Sequence, residues 1–209
     1  LDTRKNLLLK FWWILPTIIF FLESFSTAKF FENQEGTMIH HWQMFVGPLE
    51  LLQQGGFLLW DTPSQYGFLS ILSAYIIPFN DPWIKFYFLN SSLKLISSLL
   101  IFYTIWNKKS ILRYFLSLII TFSILFIFTI SPSFDNSSIT PGSGPFRFFW
   151  VILIMFFIVK NKSLNLKKQL LFISPIWLIG FLWSILSAFI VSAIVFPLIL
   201  YCFLENKNN

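Results

Sequence analysis

Three segments of the 209-residue chain hold side chains able to do chemistry. His40 and His41 stand side by side at the start of the Met38–Leu52 stretch. Asp61 follows Trp60 and leads through Thr62 to Gln65 and Tyr66, and Arg147 ends a Ser-, Pro- and Gly-rich stretch that begins at Ser131. Histidine suits general-base work because its unperturbed pKa of about 6.5 lies near working pH. A carboxylate such as Asp61 can orient that base or take the proton itself, and a guanidinium fork such as that of Arg147 matches phosphate oxygens. Glu32 and Glu35 add carboxylates to the same polar stretch.

Each of these residues also has a plainer reading. Glu32 and Glu35 suit solvated loop positions, and Asp61 can cap a turn through Thr62 and Pro63 while Trp60 and Tyr66 sit in an interfacial aromatic belt. His40 and His41 are also ordinary amphipathic residues at an interface. Neighbours on a helix point about 100° apart, so two adjacent histidines do not form a metal site; a divalent metal would need further ligands such as Asp61 or Glu35. No metal site is assigned, and a divalent ion is the one cofactor left open.

Composition defines the elements that must position these groups. The chain is 56% hydrophobic and 11% charged, against roughly 45–50% and about 25% for a soluble domain. Several apolar stretches approach the ~20 residues that cross a hydrocarbon layer of about 30 Å, and their continuous rather than alternating pattern selects helices. The expected fold is an all-α polytopic transmembrane bundle, one domain over 1–209 with five to seven membrane helices. Candidate helices run over Leu7–Leu22, Trp83–Trp106, Ser110–Ile130 and Phe148–Val159. Leu170–Leu204 is too long for one span and is expected to divide near Trp183-Ser184. Lys85 and Lys94 interrupt the second span and must snorkel or face protein. Two extracytoplasmic loops follow, 24–66 with juxtamembrane helices and 131–147.

In the first loop, Met38, Ile39, Trp42, Phe45, Val46, Leu49 and Leu52 recur at three- and four-residue spacing, the pattern of an amphipathic surface helix. His40, Gln43, Glu50 and Gln54 fall on its other stripe, Gly47-Pro48 is expected to split it into two short helices, and Gly55-Gly56 to end the second. The net charge of +6 sits in short clusters between apolar runs, as juxtamembrane loops facing anionic lipid require, which argues against nucleic acid as a partner. If the N-terminus is inside and every apolar run crosses, the clusters at Lys108 and Lys160–Lys168 face the disfavoured side; a half-helix over Gly67–Phe79 that dips in and returns removes the conflict, whereas an N-terminus outside would put Arg4, Lys5 and Lys10 on that side. The single cysteine, Cys202, excludes an intramolecular disulfide framework. No cleavage pattern follows the first helix, and a chain beginning at Leu1 is expected to be processed or truncated.

At the residues named first, the chain resembles the GT-C superfamily of integral-membrane glycosyltransferases. That family's pattern has an acidic pair opening a surface helix, a Gly-containing turn, an aromatic-Asp and a Tyr-Gly-Pro-like start to the second helix. Here it reads His40-His41-Trp42, Gly47-Pro48, Gln54-Gly55-Gly56, Trp60-Asp61 and Gln65-Tyr66-Gly67. The closest likeness is to a bacterial branch with the His-His form, a later loop similar to Ser131-Pro132-Ser133 through Phe146-Arg147, and a Leu182-Trp183-Ser184 element. Where the family carries its carboxylate pair, this chain has histidines.

The resemblance implies the N-terminal portion of a multi-pass enzyme of a bacterial inner (plasma) membrane, working on the cell envelope. Such an enzyme moves a sugar from a polyprenyl-phosphate carrier to a lipid or polysaccharide acceptor, so membrane lipids and a polyprenyl-phosphate-linked sugar are its implied partners. It casts His41, His40 and Asp61 as catalytic groups, and Arg147, Gln65, Tyr66 and Glu35 as contacts for substrate or phosphate. Two other readings stand beside it. A transporter or flippase for a lipid-linked saccharide is suggested by Lys85 and Lys94, and a non-catalytic or incomplete membrane paralogue by the histidine pair and the short length.

Overall fold

The computed structural model describes residues 2–25, 37–61, 67–106, 111–129 and 144–207; within helices, the side chains of 2–11, 37–41, 125–129 and 205–207 lie outside the description. Every regular element among the described residues is a helix: α1 (Asp2–Ser24), α2 (Thr37–Gln53), α3 (Leu69–Tyr75), α4 (Pro82–Ile105), α5 (Ile111–Thr129), α6 (Pro145–Lys160), α7 (Leu166–Trp183) and α8 (Ile185–Lys207). Three are long and apolar enough to cross a membrane: α4, α7 and the Ile185–Leu204 part of α8.

Local chemistry sets the helix ends. Asp81 caps α4 by accepting the N–H groups of Trp83 (2.7 Å) and Ile84 (3.2 Å), with Pro82 in the first turn, where a missing N–H costs nothing. Asn165 caps α7 through the Lys168 N–H at 3.0 Å. Ser184 divides α7 from α8: its extended backbone ends α7, and its Oγ accepts the Ser187 N–H at 3.1 Å to start α8. The expected break in the last apolar region therefore falls at Trp183-Ser184.

The two-faced character of α2 is present. Trp42, Phe45, Val46 and Leu49 are buried, while Gln43, Glu50 and Gln53 are exposed. The expected split at Gly47-Pro48 is absent, because α2 continues through both residues. Proline in a helix interior costs about 3 kcal/mol. Here Pro48 is itself buried, so packing offsets the lost hydrogen bond. The glycine stop matches expectation: Gly55 has φ +90°, its N–H reaches Leu52 O at 3.2 Å, and the Gly56 N–H reaches Leu51 O at 2.9 Å, closing a Schellman motif.

Ring contacts fix which helix ends meet. At one end Tyr114 of α5 packs edge-on against Trp12 of α1 at 4.6 Å and against Trp106 at 5.8 Å, and its hydroxyl donates to Trp12 O. At the other, Phe25 lies 6.5 Å from Tyr87 of α4, Phe86 lies 6.3 Å from Phe146 of α6, and Phe146 lies 5.3 Å from Trp183 of α7. The second end, called the loop end below, carries α2 and α3. The first, the basic end, carries the α6–α7 turn with Lys160, Lys162, Lys167 and Lys168, and the start of α1 with Arg4, Lys5 and Lys10. The short α3, seven residues or about 10 Å long, falls far short of a hydrocarbon layer of about 30 Å.

Helix α4 is the axis. Its most apolar window is 44% buried against 17% for those of α7 and α8, which expose large apolar side chains such as Leu171, Phe189, Phe196 and Phe203. Both lysines of α4 face protein rather than snorkel. Lys85 is buried and donates to Tyr75 O at 2.9 Å, closing the C-terminal end of α3, with its Nζ 5.4 Å from the Tyr75 ring. Lys94 reaches across to α1.

Candidate functional site

A junction at the loop end joins three stretches far apart in sequence. Gly67, with φ +100°, lies against the break between α7 and α8; a methyl group there would meet the Trp183 carbonyl oxygen and come within 2.7 Å of Ser184 Cα. Only glycine accepts both that backbone angle and that approach. Trp183 Nε1 donates to Phe146 O at 2.9 Å. The Ser187 hydroxyl donates to Arg147 O at 2.9 Å, while Ser184 and Ser187 share a hydroxyl contact of 3.0 Å. The start of α3, the first turn of α6 and the α7–α8 break are thus tied by backbone contact and hydrogen bonds.

Arg147 stands in the first turn of α6, half-buried, its guanidinium carbon 5.4 Å from the Phe148 ring centroid. The helix N-cap, Gly144, offers no side chain to the first N–H groups. A helix N-terminus carries roughly half a positive charge, which disfavours a cation by about 0.3–1 kcal/mol and favours an anion by as much. A guanidinium beside that terminus therefore makes a locally positive place, fitted chemically to an oxyanion or phosphate.

Helix α2 is seated on the same end. Trp42 lies 6.0 Å from Phe86, and Phe45 lies 5.1 Å from Phe146, so the surface helix packs on the first turns of α4 and α6. His40 and His41 are carried by α2 immediately before Trp42; their side chains lie outside the described ones. Glu35, Gln65 and Tyr66 lie outside the described residues altogether.

Asp61 is described and exposed. Its Oδ2 accepts the Phe57 N–H at 2.6 Å and its own N–H reaches Phe57 O at 2.9 Å, so the carboxylate closes a loop backward onto Phe57; the turn expected through Thr62 and Pro63 falls on residues outside the described ones. Within that loop Leu59 has φ +72° and Trp60 is 89% exposed. Among the described residues, no group of three or more His, Cys, Asp or Glu side chains comes together that could hold a metal ion.

Sequence reasoning missed one arrangement. Lys94 Nζ lies 2.6 Å from Glu23 Oε1, joining α4 to α1 across 71 positions. Asn90 and Ser97, on the same face of α4, are buried. The spacing 90, 94, 97 was a visible signal of a polar stripe inside an apolar helix. Its partner on α1 was not, because Glu23 sits at the end of an apolar run and reads as a juxtamembrane charge.

No family model, curated protein or solved structure matches the chain.

Proposed function

We propose that the chain is a multi-pass membrane protein whose loop end forms the site of a GT-C-like sugar transferase, acting on a polyprenyl-phosphate-linked sugar. Embedding is supported by three helices of spanning length and composition, and by large apolar side chains exposed along α5, α7 and α8. With α3 too short to cross, the lysines of the α6–α7 turn and the basic start of α1 share one end, which the positive-inside bias assigns to the cytoplasm. The loop end is then extracytoplasmic, where a polyprenyl-phosphate sugar is displayed.

The observation that carries the proposal is the junction of Gly67, Phe146-Arg147 and Trp183-Ser184. These are three of the segments that resemble the family, and they meet beside a surface helix bearing two histidines. In the proposed reaction, His41 or His40 takes the proton of an acceptor hydroxyl as its oxygen attacks the anomeric carbon. The bond from that carbon to the phosphate oxygen breaks, and its electron pair leaves with the lipid phosphate. Arg147, beside the positive end of the α6 dipole, stabilises the departing charge. Such a charged pairing, preorganised at a helix end, is worth on the order of 3 kcal/mol in a transition state.

The test uses the full chain in lipid nanodiscs with polyprenyl phosphate as probe, followed by transfer from a polyprenyl-phosphate sugar. Arg147→Ala is expected to weaken probe binding by about a hundredfold, with Arg147→Lys intermediate. His41→Ala is expected to abolish transfer while leaving probe binding intact. Wild-type chain that binds no polyprenyl phosphate would overturn the proposal. A second reading, translocation of a lipid-linked saccharide, is favoured by the charged pair inside the bundle; it predicts that Lys94→Met stops translocation and that the histidines are dispensable.

A further inference from the structure

The basic end carries four exposed lysines where α6 turns into α7: Lys160, Lys162, Lys167 and Lys168. Among the described residues none of them has an acidic partner. The lysines inside the bundle differ: Lys94, about 18 Å along α4, pairs with Glu23, and Lys85 donates to Tyr75 O. Helices α6, α7 and α8 together hold one acid, Glu205, whose side chain lies outside the described ones.

The turn is closed by its own hydrogen bonds. Asn161, between Lys160 and Lys162, donates through Nδ2 to Phe157 O at 3.0 Å, and its carbonyl accepts Gln169 Nε2 at 3.0 Å. The same amide reaches Leu164 O at 2.9 Å, and Asn165 caps α7 on the Lys168 N–H. Gln169 adjoins Lys168, so these bonds hold both pairs of lysines at one hairpin end. Lys160 suits the C-terminal turn of α6, but Lys167 and Lys168 stand in the first turn of α7, where the helix dipole disfavours cations and no acidic residue relieves them. A positive-inside bias is met equally by lysines at the end of α6, so this local conflict marks charge kept for something outside the helix.

Apolar surface begins one turn deeper. Lys167 and Leu171, and Lys168 and Phe172, are i,i+4 pairs on shared faces of α7, and Leu171 and Phe172 are 70% and 53% exposed. On α6, Lys160 Nζ lies 6.0 Å from the Phe156 ring, with Met155 and Val159 exposed nearby. Adjacent lysines point about 100° apart, so the turn offers a surface to neighbouring headgroups rather than a pocket for one. Cations standing above exposed apolar side chains match a molecule with phosphate on top and hydrocarbon beneath.

We propose that the α6–α7 turn is a binding surface for anionic phospholipid, with headgroup phosphates on the four ammonium groups and acyl chains along Leu171 and Phe172. Free phosphate would use the lysines alone, and an acidic protein segment would leave the apolar side chains uncovered. The inference rests on the membrane embedding proposed above and not on sugar transfer.

The experiment titrates the full chain, in a neutral detergent at fixed ionic strength, with phosphatidylglycerol or phosphatidylcholine, and counts bound lipid by native mass spectrometry. Phosphatidylglycerol is expected to bind at least about tenfold more tightly. Lys167→Gln/Lys168→Gln is expected to weaken it about twentyfold, and Phe172→Ala, which leaves the charge unchanged, a few fold. Arg113→Gln removes an exposed cation from the start of α5 at the same end and is expected to change little. All these side chains are exposed, so the variants should keep wild-type helical content. Equal binding of the two lipids overturns the proposal. So does an Arg113→Gln variant weakened as much as Lys168→Gln, since the attraction is then diffuse, or displacement of the lipid by inorganic phosphate at equal concentration. Quenching of tryptophan fluorescence by brominated phosphatidylcholine in nanodiscs tests embedding separately: quenching without a preference for phosphatidylglycerol sinks this inference alone, and absence of quenching sinks both.

Discussion

The junction at the loop end and the charged pair at mid-depth are both polar constructions inside an apolar bundle, yet they are held by different interactions. At the junction the named polar groups are paired: Trp183 Nε1 with Phe146 O, Ser187 Oγ with Arg147 O, Ser184 Oγ with Ser187 N–H. At mid-depth a single ion pair, Lys94 with Glu23, joins α4 to α1. Hydrogen bonds from side chains to backbone carbonyls fix direction as well as distance, whereas an ion pair between two helices holds them by charge. The difference teaches that α7–α8 and α6 are clamped in a directional way at the loop end, where the proposed site lies, while α1 and α4 are joined by charge alone at that level.

The largest effect that could break this comparison belongs to Gly67. Alanine there must accept φ +100° and push apart the α7–α8 backbone, with its methyl against the Trp183 carbonyl and 2.7 Å from Ser184 Cα. We expect a loss of about 3 kcal/mol or more, seen as a lower midpoint in denaturant titration. A loss below about 1 kcal/mol would show that the junction yields and is not a rigid base.

At mid-depth, Glu23→Leu strands the Lys94 ammonium in a buried place. Loss of one partner of a buried pair costs about 3–5 kcal/mol, reduced here to about 2 because Glu23 is partly exposed. The double variant Glu23→Leu/Lys94→Met should recover most of that loss. A double variant no more stable than the single one would mean that the pair does not hold α1 to α4 by charge. At the junction, Trp183→Phe removes one donor from Phe146 O and should cost about 1–2 kcal/mol in the same titration.

These positions also show what the sequence could carry. The lengths of the apolar runs were enough for the helices, and the division at Trp183-Ser184 followed because Leu170–Leu204 exceeds one span. Gly55-Gly56 was readable because a glycine at a helix end has few other uses. Pro48 was not: its local cost argues for a break, and only burial of the α2 face, a tertiary fact, reverses it. The convergence of Gly67, Arg147 and Trp183 was equally hidden, since the residues came forward as separate fragments of a resemblance and no periodicity relates them. The Lys94 side of the charged pair was visible as a polar stripe, but hydropathy says nothing about which helix supplies the counter-charge.

The smallest effect on stability is the most informative about the site. Asp61 is exposed, and its carboxylate closes a loop on the Phe57 N–H. An asparagine side-chain oxygen can accept that same N–H, so Asp61→Asn should change stability by less than about 0.5 kcal/mol, while Asp61→Ala, which leaves the donor to water, should cost up to about 1 kcal/mol. Transfer then separates two roles that stability cannot. If Asp61 only holds the Phe57–Asp61 loop, the asparagine variant keeps wild-type transfer and the alanine variant loses some of it through a displaced loop. If Asp61 orients a histidine or takes the proton, the asparagine variant loses transfer about a hundredfold or more with its loop intact. The hydrogen bond to Phe57 makes Asp61 an element of loop structure in either case; only the asparagine variant, measured for both transfer and stability, tells whether the carboxylate charge does anything further.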